Sequence, residues 1–336
     1  MVKARRTDVG ESKGDRGALK AAIEDINKLL GDHTIVRLGD QVVSPLEVIP
    51  TGLISLDLKL GGGLPRGRIV EFLGPEAGGK SSLALRVIAQ VQQMGGTCVY
   101  LDTENALDPL FAKKIGVDID DLYLGQPNTA EDTFAAMEKA VATGEVDVVV
   151  IDSVAAMPSR AELDGEFGQA HVGLIPRLMG QGLRKTGGII ASTGTLVIFI
   201  NQLRVNLGVT YGSNEITPGG KALKFHSSVR LDIRRIEGIK RGDEVIGQRV
   251  RIKVLKNRVA PPFQQVELDM LYGQGFVPQA SLLVAAVERG HIKKSGSWYS
   301  YDGQQIGQGD NKAWVYLREN PEIAAEIEAK VRECPV

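Results

Sequence analysis

The stretch GPEAGGKSS, residues 74–82, restricts the fold of this chain more than any other. It follows the apolar run IVEFL (69–73), which reads as a buried strand. It precedes a segment with apolar residues at 83, 84, 87, 88 and 91, the spacing of a helix. Strand, G-x-x-x-x-G-K-[ST], helix is a phosphate-binding loop in its proper context. Gly74, Pro75, Glu76, Ala77, Gly78, Gly79, Lys80, Ser81 and Ser82 form it. The glycines let backbone N–H groups turn inward, and the helix N-terminus behind them adds partial positive charge. Lys80 is placed for the β- and γ-phosphates and Ser81 for a magnesium ion. A glycine-rich turn that merely carries a lysine would not need both flanks in register. The stretch predicts a nucleoside triphosphate site and leaves open what the energy is used for.

At 336 residues the chain has room for one large domain and one or two small ones. The formal net charge of −1 means that charge alone does not announce a nucleic-acid partner. No apolar run approaches the ~18 residues that span a bilayer, so no membrane partner is expected. The first residues, MVKARRTDVGESKGDRG, carry charge without an apolar core and do not read as a secretory signal. Cys98, in a strand-like run, and Cys334, in the tail, cannot make a disulfide framework; both fit a reducing cytoplasm.

Along the chain, residues 1 to about 17, polar and mixed in charge, read as disordered or as an arm. A helix follows, with Leu19, Ala22, Ile23, Ile26, Leu29 and Leu30 on one face, stopped by Gly31. A short strand is expected at 34–38. The apolar face of this unit needs cover, from its own domain or from another subunit. Strands at 69–73, 97–102, 146–152 and 196–202 alternate with helices at 82–94, 130–142 and 174–186. Near-continuous apolar strands imply an α/β fold whose mainly parallel sheet is covered on both faces. Polar residues stand at their C-terminal ends: Asp102 and Glu104, Asp152 and Ser153, Asn201 and Gln202. Open parallel sheets bind ligands at that edge. Residues 203–220 show neither helical nor strand periodicity, which in a compact domain points to a functional segment. Antiparallel strands are expected at 228–236, 247–259 and 264–272. A small module then begins near Gln279, with a helix at 281–289 and a last helix from Pro321 with Asn320 as its N-cap. The domains are drawn as 1–40 for the arm, helix and strand, 41–278 as the core that carries the triphosphate loop, and 279–336 as a small C-terminal domain.

Asp152, ending an apolar strand, is the expected partner of magnesium, directly or through water. Glu104 is suited to orient and deprotonate a water for attack on the γ-phosphorus, although a carboxylate there could also be a solvated loop residue. Gln202 ends the next strand at the mouth of the 203–220 segment. An amide there can bond a γ-phosphate and lose that partner on hydrolysis, coupling nucleotide state to the loop.

Several longer segments resemble the bacterial RecA recombinases: PTGLISLDLKLGGGLPRGRIVEFLGPEAGGKSSLAL, LDTENALDP, VVVIDSVAAMPSRAELDGEFG and IFINQLRVNLGVTYG. TPGGKALKFHSSVRLDIRRI, LKNRVAPPF and GSWYSYDGQQIGQG do so too, from about residue 18 to 332. The resemblance implies a P-loop NTPase core of RecA type with ATP and Mg2+ as cofactors. It implies water activation by Glu104, magnesium support by Asp152 and a sensor role for Gln202. Asp108, Phe111 and Tyr272 fall where the family holds adenine, Phe111 standing where tyrosine is common. Lys256 and Arg258 match two basic residues that reach the neighbouring subunit's nucleotide, where they stabilise transition-state charge as an arginine finger does. The family usually has lysine at both, and Arg258 changes shape and reach. From the residues alone, KNR would read as a solvated strand end.

Two loops, about 162–173 and 203–220, resemble the family's DNA-binding loops. The backbone of Val172, Gly173, Gly219 and Gly220, with the side chains of Arg177, Arg184 and Arg204, would hold phosphates. Val205 and Leu207 would wedge between stretched groups of bases. Asn206, Gly180 and Pro218 depart from the family's usual lysine, serine and threonine. The N-terminal helix and strand match the element that packs on the next subunit. Head-to-tail repetition of that contact gives an open helical filament, and Phe225 falls at an interface position between ATP sites. The resemblance implies a DNA-dependent ATPase that polymerises on single-stranded DNA, pairs it with homologous double-stranded DNA and exchanges strands. It also implies promoting self-cleavage of an SOS-type repressor. The competing readings are a ring-forming, helicase-like motor on the same core and a DNA-binding scaffold that uses ATP only as a switch.

Overall fold

The computed structural model describes residues 17–31, 34–37, 39, 46–166, 169, 173–205 and 215–333, with Val205 described by its backbone alone. The chain divides into two compact units, Met1–Pro45 and Leu46–Val336. In the first, α1 (Gly17–Leu30) is amphipathic, and Leu19, Leu29 and Leu30 are exposed. Residues 34–37 are not a strand, against the expectation for 34–38; Leu38 lies outside the described residues. The reason is local. The Asn27 side chain donates to the Ile35 carbonyl at 3.0 Å and accepts from the Ile35 N–H at 2.8 Å, so an amide rather than a ladder occupies both backbone groups.

The second unit opens with β1 (Val48–Ile49), α2 (Ile54–Leu60) and β2 (Leu64–Pro65), the two strands pairing antiparallel. The α/β alternation follows as β3 (Ile69–Gly74), α3 (Lys80–Gln93), β4 (Cys98–Asp102), α4 (Pro109–Ile115), β5 (Leu122–Gly125), α5 (Ala130–Ala142), β6 (Val148–Asp152), α6 (Arg160–Asp164), α7 (Leu174–Thr193) and β7 (Leu196–Gln202). Two-residue strands β8 (Arg204–Val205) and β9 (Glu215–Ile216) pair at the base of the next segment, whose residues 206–214 lie outside the described ones. After α8 (Ala222–His226) come β10 (Val229–Arg241), β11 (Glu244–Asn257), β12 (Gln265–Leu271) and β13 (Gly275–Phe276).

One nine-stranded sheet holds these elements in the order β13-β12-β11-β10-β3-β7-β6-β4-β5. From β10 to β5 every neighbouring pair is parallel, and the other end is antiparallel. Alternation along each strand feeds two cores. Val70, Phe72, Val150 and Ile198 pack with Leu83 and Val87 of α3. Ile69, Val149, Val197 and Phe199 pack on the opposite face with Met179 and Leu183 of α7. Double coverage is why these strands read as unbroken apolar runs. The strand β3 lies between β10 and β7, whereas its chain continues through α3 to β4 on the far side of β6. That is a topological switch point, where the strand ends leave a crevice.

The remaining residues form α9 (Pro278–Glu288), the antiparallel sheet β14 (Lys293–Ser295), β15 (Trp298–Tyr301) and β16 (Gln304–Gln308), α10 (Asp310–Glu319) and α11 (Pro321–Glu333). Leu283, Ala286, Tyr299, Trp314, Leu317 and Ile327 make their core. Asn320 stands at the expected N-cap position of α11, its carbonyl accepting from the Ala324 N–H at 3.1 Å. Its side-chain Nδ2 donates back to the Tyr316 carbonyl at 2.8 Å, so the same residue also closes the C-terminus of α10.

Candidate functional site

The phosphate loop leaves β3 through Gly74 at φ 153° and meets α3 through Gly79 at φ 99°. A Cβ on Gly74 would strike the carbonyl oxygen of Ile233 in β10, so this turn admits only glycine. Gln248 of β11 donates to the Ala77 carbonyl at 2.8 Å and steadies the loop from the side. Lys80, buried at the first turn of α3, donates to the carbonyls of Pro75 at 2.7 Å and Gly74 at 3.2 Å. Burial lowers its pKa, against the pull of the Asp152, Glu104 and Glu76 carboxylates.

Strand ends supply the facing wall. Asp152 stands in register with Asp102 and Ile200, and Gln202 with Gly74. Asp152 Oδ2 accepts from Ser81 Oγ and from Tyr100 Oη, both at 2.6 Å. Burial raises the Asp152 pKa, while these two hydroxyl bonds oppose the rise. Glu104 Oε1 accepts from Ser153 Oγ at 2.5 Å and from Gln202 Nε2 at 3.0 Å. Asp102, which continues the same strand, accepts from the N–H groups of Glu104 and Leu107 and so folds that carboxylate back over the strand ends. Glu76, Lys80, Ser81, Glu104, Asp152 and Gln202 line one cleft of about 400 Å³.

The donor set fits magnesium shared with a substrate. A hydroxyl and a carboxylate lie side by side in the crevice, and among the described residues no group of three or more acidic, histidine or cysteine side chains forms a self-sufficient metal cage.

Other expected site residues lie outside this cleft. Asp108 caps α4 by accepting from the Leu110 N–H at 2.8 Å, and Phe111 packs half-buried on the core. Tyr272 is half exposed and faces a separate hollow with Trp298 and Val315. Lys256 Nζ donates to the carbonyls of Lys224 at 2.9 Å and Phe225 at 3.0 Å; Arg258 Nη2 reaches the Phe225 carbonyl at 3.3 Å. Both cations thus cap α8. Burial lowers the Lys256 pKa, and the neighbouring Arg258 and Arg230 charges lower it further. Burial likewise lowers that of His226, helped by Arg184, Lys256 and Arg258, which places those three charges around one imidazole.

Arg177 and Arg184 are exposed two turns apart on α7, and Arg204 is exposed in β8. Gly173 begins α7 at φ 79°. Gly219 and Gly220 have φ 80° and 72°, and Cβ atoms there would come within 2.9 Å of Val154 and 3.0 Å of Pro176. The exit of the second loop therefore lies against the start of α7, where the first loop ends. Val172 and Leu207, together with the Val205 side chain, lie outside the described residues. Sequence reasoning missed Tyr100 and the anchoring bonds of Ser153 and Asp102. Only the strand register, which aligns β4 with β6, could have indicated them.

A phosphate loop at the switch point of a mainly parallel sheet, faced by carboxylates on the adjoining strand ends, defines a P-loop NTPase. Residues 17–277 match the family model of the RecA N-terminal domain and residues 280–334 that of the RecA C-terminal domain. The chain belongs to the RecA family. It is 53% identical over 321 residues to the protein RecA of Saccharopolyspora erythraea, covering 95% of this chain and 93% of that relative. It is 53% identical over 317 residues to the protein RecA of Laribacter hongkongensis, covering 94% and 90%. The crystal structure of the RadB recombinase shares the fold, with a TM-score of 0.53 and 23% identity over 68% of this chain and 98% of that one. Identity at this level over nearly the whole length supports the function of a RecA recombinase.

Proposed function

We propose that the chain hydrolyses ATP in a DNA-dependent manner, forms a helical filament on single-stranded DNA and exchanges strands with a homologous duplex. The observation that carries this reading is the meeting of Glu104 and Gln202 in the Lys80 cleft, with Gln202 directly preceding the 203–220 segment. Lys80 binds the phosphates, and its release from the Pro75 and Gly74 carbonyls frees its protons for them. Glu104 orients the attacking water and accepts its proton. Ser81 and Asp152 hold magnesium, which when bound neutralises charge on the phosphate oxygens. Gln202 exchanges Glu104 for the γ-phosphate, so that hydrolysis is felt at the DNA loop.

Asp108, Phe111 and Tyr272 hold the adenine when a neighbouring subunit closes over it. Lys256 and Arg258 leave the α8 carbonyls to complete the next subunit's site. DNA phosphates are held by Arg177, Arg184, Arg204 and the backbone of residues 172–173 and 219–220, with Val205 and Leu207 as wedges. The exposed leucines of α1 support its role as the packing element between subunits. A break between the two family models at residues 277–280 supports a C-terminal domain starting near 279, alongside 1–40 and 41–278. Among the described residues no helix is long and apolar enough to cross a membrane. A cytoplasmic location belongs to the proposed reading. Cleavage of an SOS-type repressor belongs to the same reading.

Strand exchange between circular single-stranded DNA and homologous linear duplex tests it, run with ATP and with a slowly hydrolysed analogue. Joint molecules are expected with both. Closed rings that unwind forked duplex without joint molecules would point to the motor. ATP turnover that single-stranded DNA never stimulates would point to the scaffold.

A further inference from the structure

Three polar side chains are sealed inside the sheet beneath the cleft. Glu71, in the middle of β3, is fully buried, and Arg230 of β10 is 8% exposed. They are direct partners in the parallel ladder, and Arg230 Nε donates to Glu71 Oε2 at 2.5 Å. The other carboxylate oxygen, Oε1, accepts from Asn201 Nδ2 of β7 at 3.1 Å. The same Nδ2 donates to the backbone carbonyl of Pro218, also at 3.1 Å. Asn201 Oδ1 is buried with no partner.

A carboxylate costs much to bury, and a sheet centre filled with valine or leucine would be at least as stable. What the polar trio supplies is direction. Glu71 precedes the phosphate loop by three residues, Asn201 immediately precedes Gln202, and Pro218 leads into the Gly219–Gly220 exit of the second loop. Both Nδ2 protons are committed, one to the carboxylate and one to the loop carbonyl, so the amide cannot turn without losing both bonds. The ion pair with Arg230 in turn fixes the carboxylate.

We propose that Asn201, oriented by the buried Glu71–Arg230 pair, is a positioning residue that sets the exit of the second DNA loop relative to the nucleotide cleft. The inference rests on the reading of residues 203–220 as a DNA-binding segment. Asn201 touches neither nucleotide nor DNA; it acts through Pro218 and through the strand end that carries Gln202.

The test is Asn201→Asp in the full chain, which keeps the shape and turns the donor into an acceptor facing two oxygens. Two quantities are read: the Kd of a fluorescent ATP analogue without DNA, and the single-stranded DNA concentration giving half-maximal ATPase stimulation. The analogue Kd is expected within about twofold of the unsubstituted chain, and the half-stimulating concentration to rise at least about tenfold. Adding Glu71→Gln gives the aspartate an amide donor and recovers part of the shift. Should Asn201→Asp prove insoluble, Asn201→Ser, whose hydroxyl has one proton to give, carries the same test. An unchanged half-stimulating concentration, or both quantities weakening in equal proportion, overturns the positioning role. A lack of any DNA stimulation in the unsubstituted chain sinks the DNA reading with it.

Discussion

Gln202 Nε2 donates to Glu104 Oε1 at 3.0 Å across the crevice between β7 and the turn after β4. The group suited to activate water and the group suited to sense the γ-phosphate hold each other, with Ser153 as a second donor to the same oxygen. In the proposed mechanism ATP binding parts them, so the event that engages the sensor also releases the base.

Replacing Glu104 by alanine removes the proton acceptor and leaves Lys80 and Ser81 intact. Hydrolysis is expected to fall by about 10²–10⁴-fold, with nucleotide affinity nearly unchanged. Filaments on single-stranded DNA should persist long after ATP addition. Phosphate release and filament lifetime check this, and turnover at the normal rate would show that another group acts as base.

Sharing of the site between subunits can be read from mixtures. Lys80→Ala and Arg258→Ala should each be nearly inactive alone, the second by an arginine-finger loss of about 10³-fold or more. In a one-to-one mixture, about a quarter of head-to-tail contacts pair an intact Lys80 with an intact Arg258. Restored ATPase in the mixture supports completion in trans. If the mixture is as inactive as its components, Arg258 serves its own α8 only.

Asp57 provides a pH test of stability. Its Oδ1 accepts from the Thr51 N–H and hydroxyl at 2.8 and 2.7 Å, while Oδ2 is buried without a partner. Burial raises its pKa to about 6, with the Thr51 bonds and Arg332 opposing and Glu328 assisting. A raised carboxyl pKa favours the folded state most below the unfolded value. That stability is lost as pH rises through about 6, by about 3 kcal/mol in all. Asp57→Asn keeps the Oδ1 acceptor and removes the charge. Denaturant unfolding at pH 4.5 and 7.5 should show the variant gaining on the unsubstituted chain as pH rises; parallel curves would refute it.

Arg249 ties the core to the C-terminal module. It pairs with the nearly buried Asp269 at 2.9 Å and with Asp310 of α10 at 3.1 Å, and Tyr299 donates to the same Asp310 carboxylate. Arg249→Ala strands the Asp269 charge, at a cost of about 3 kcal/mol. Limited proteolysis should release the residues after 278 sooner than in the unsubstituted chain, whereas Arg249→Lys should lie between.

Much of the site was legible because it consists of local signals. The phosphate loop announces itself through glycines and a lysine at fixed spacing, and Glu104, Asp152 and Gln202 through polar residues closing apolar runs. The short edge strand β5 was not legible. It has four residues, and two of them, Tyr123 and Leu124, are 63% and 50% exposed, so neither length nor apolar continuity marked it. The helix α7 runs to Thr193, beyond the expected 186, since the glycines at 187 and 188 did not end it. Asn320 before Pro321 marked the start of the last helix correctly, but not that its side-chain amide would turn back to the Tyr316 carbonyl of the preceding helix.

By itself the sequence determined the α/β alternation, the triphosphate loop and the carboxylates at the strand ends, since each follows from periodicity or from residues adjacent in the chain. Tertiary structure alone decided that β10 would join β3 in parallel and bring Arg230 onto Glu71, that Gln202 would meet Glu104, and that Lys256 and Arg258 would rest on α8. Those partners are separated by 159, 98 and about 32 positions. Spacing along a chain carries no record of which strands become neighbours; that is settled by which pairing buries the apolar faces and satisfies the backbone together.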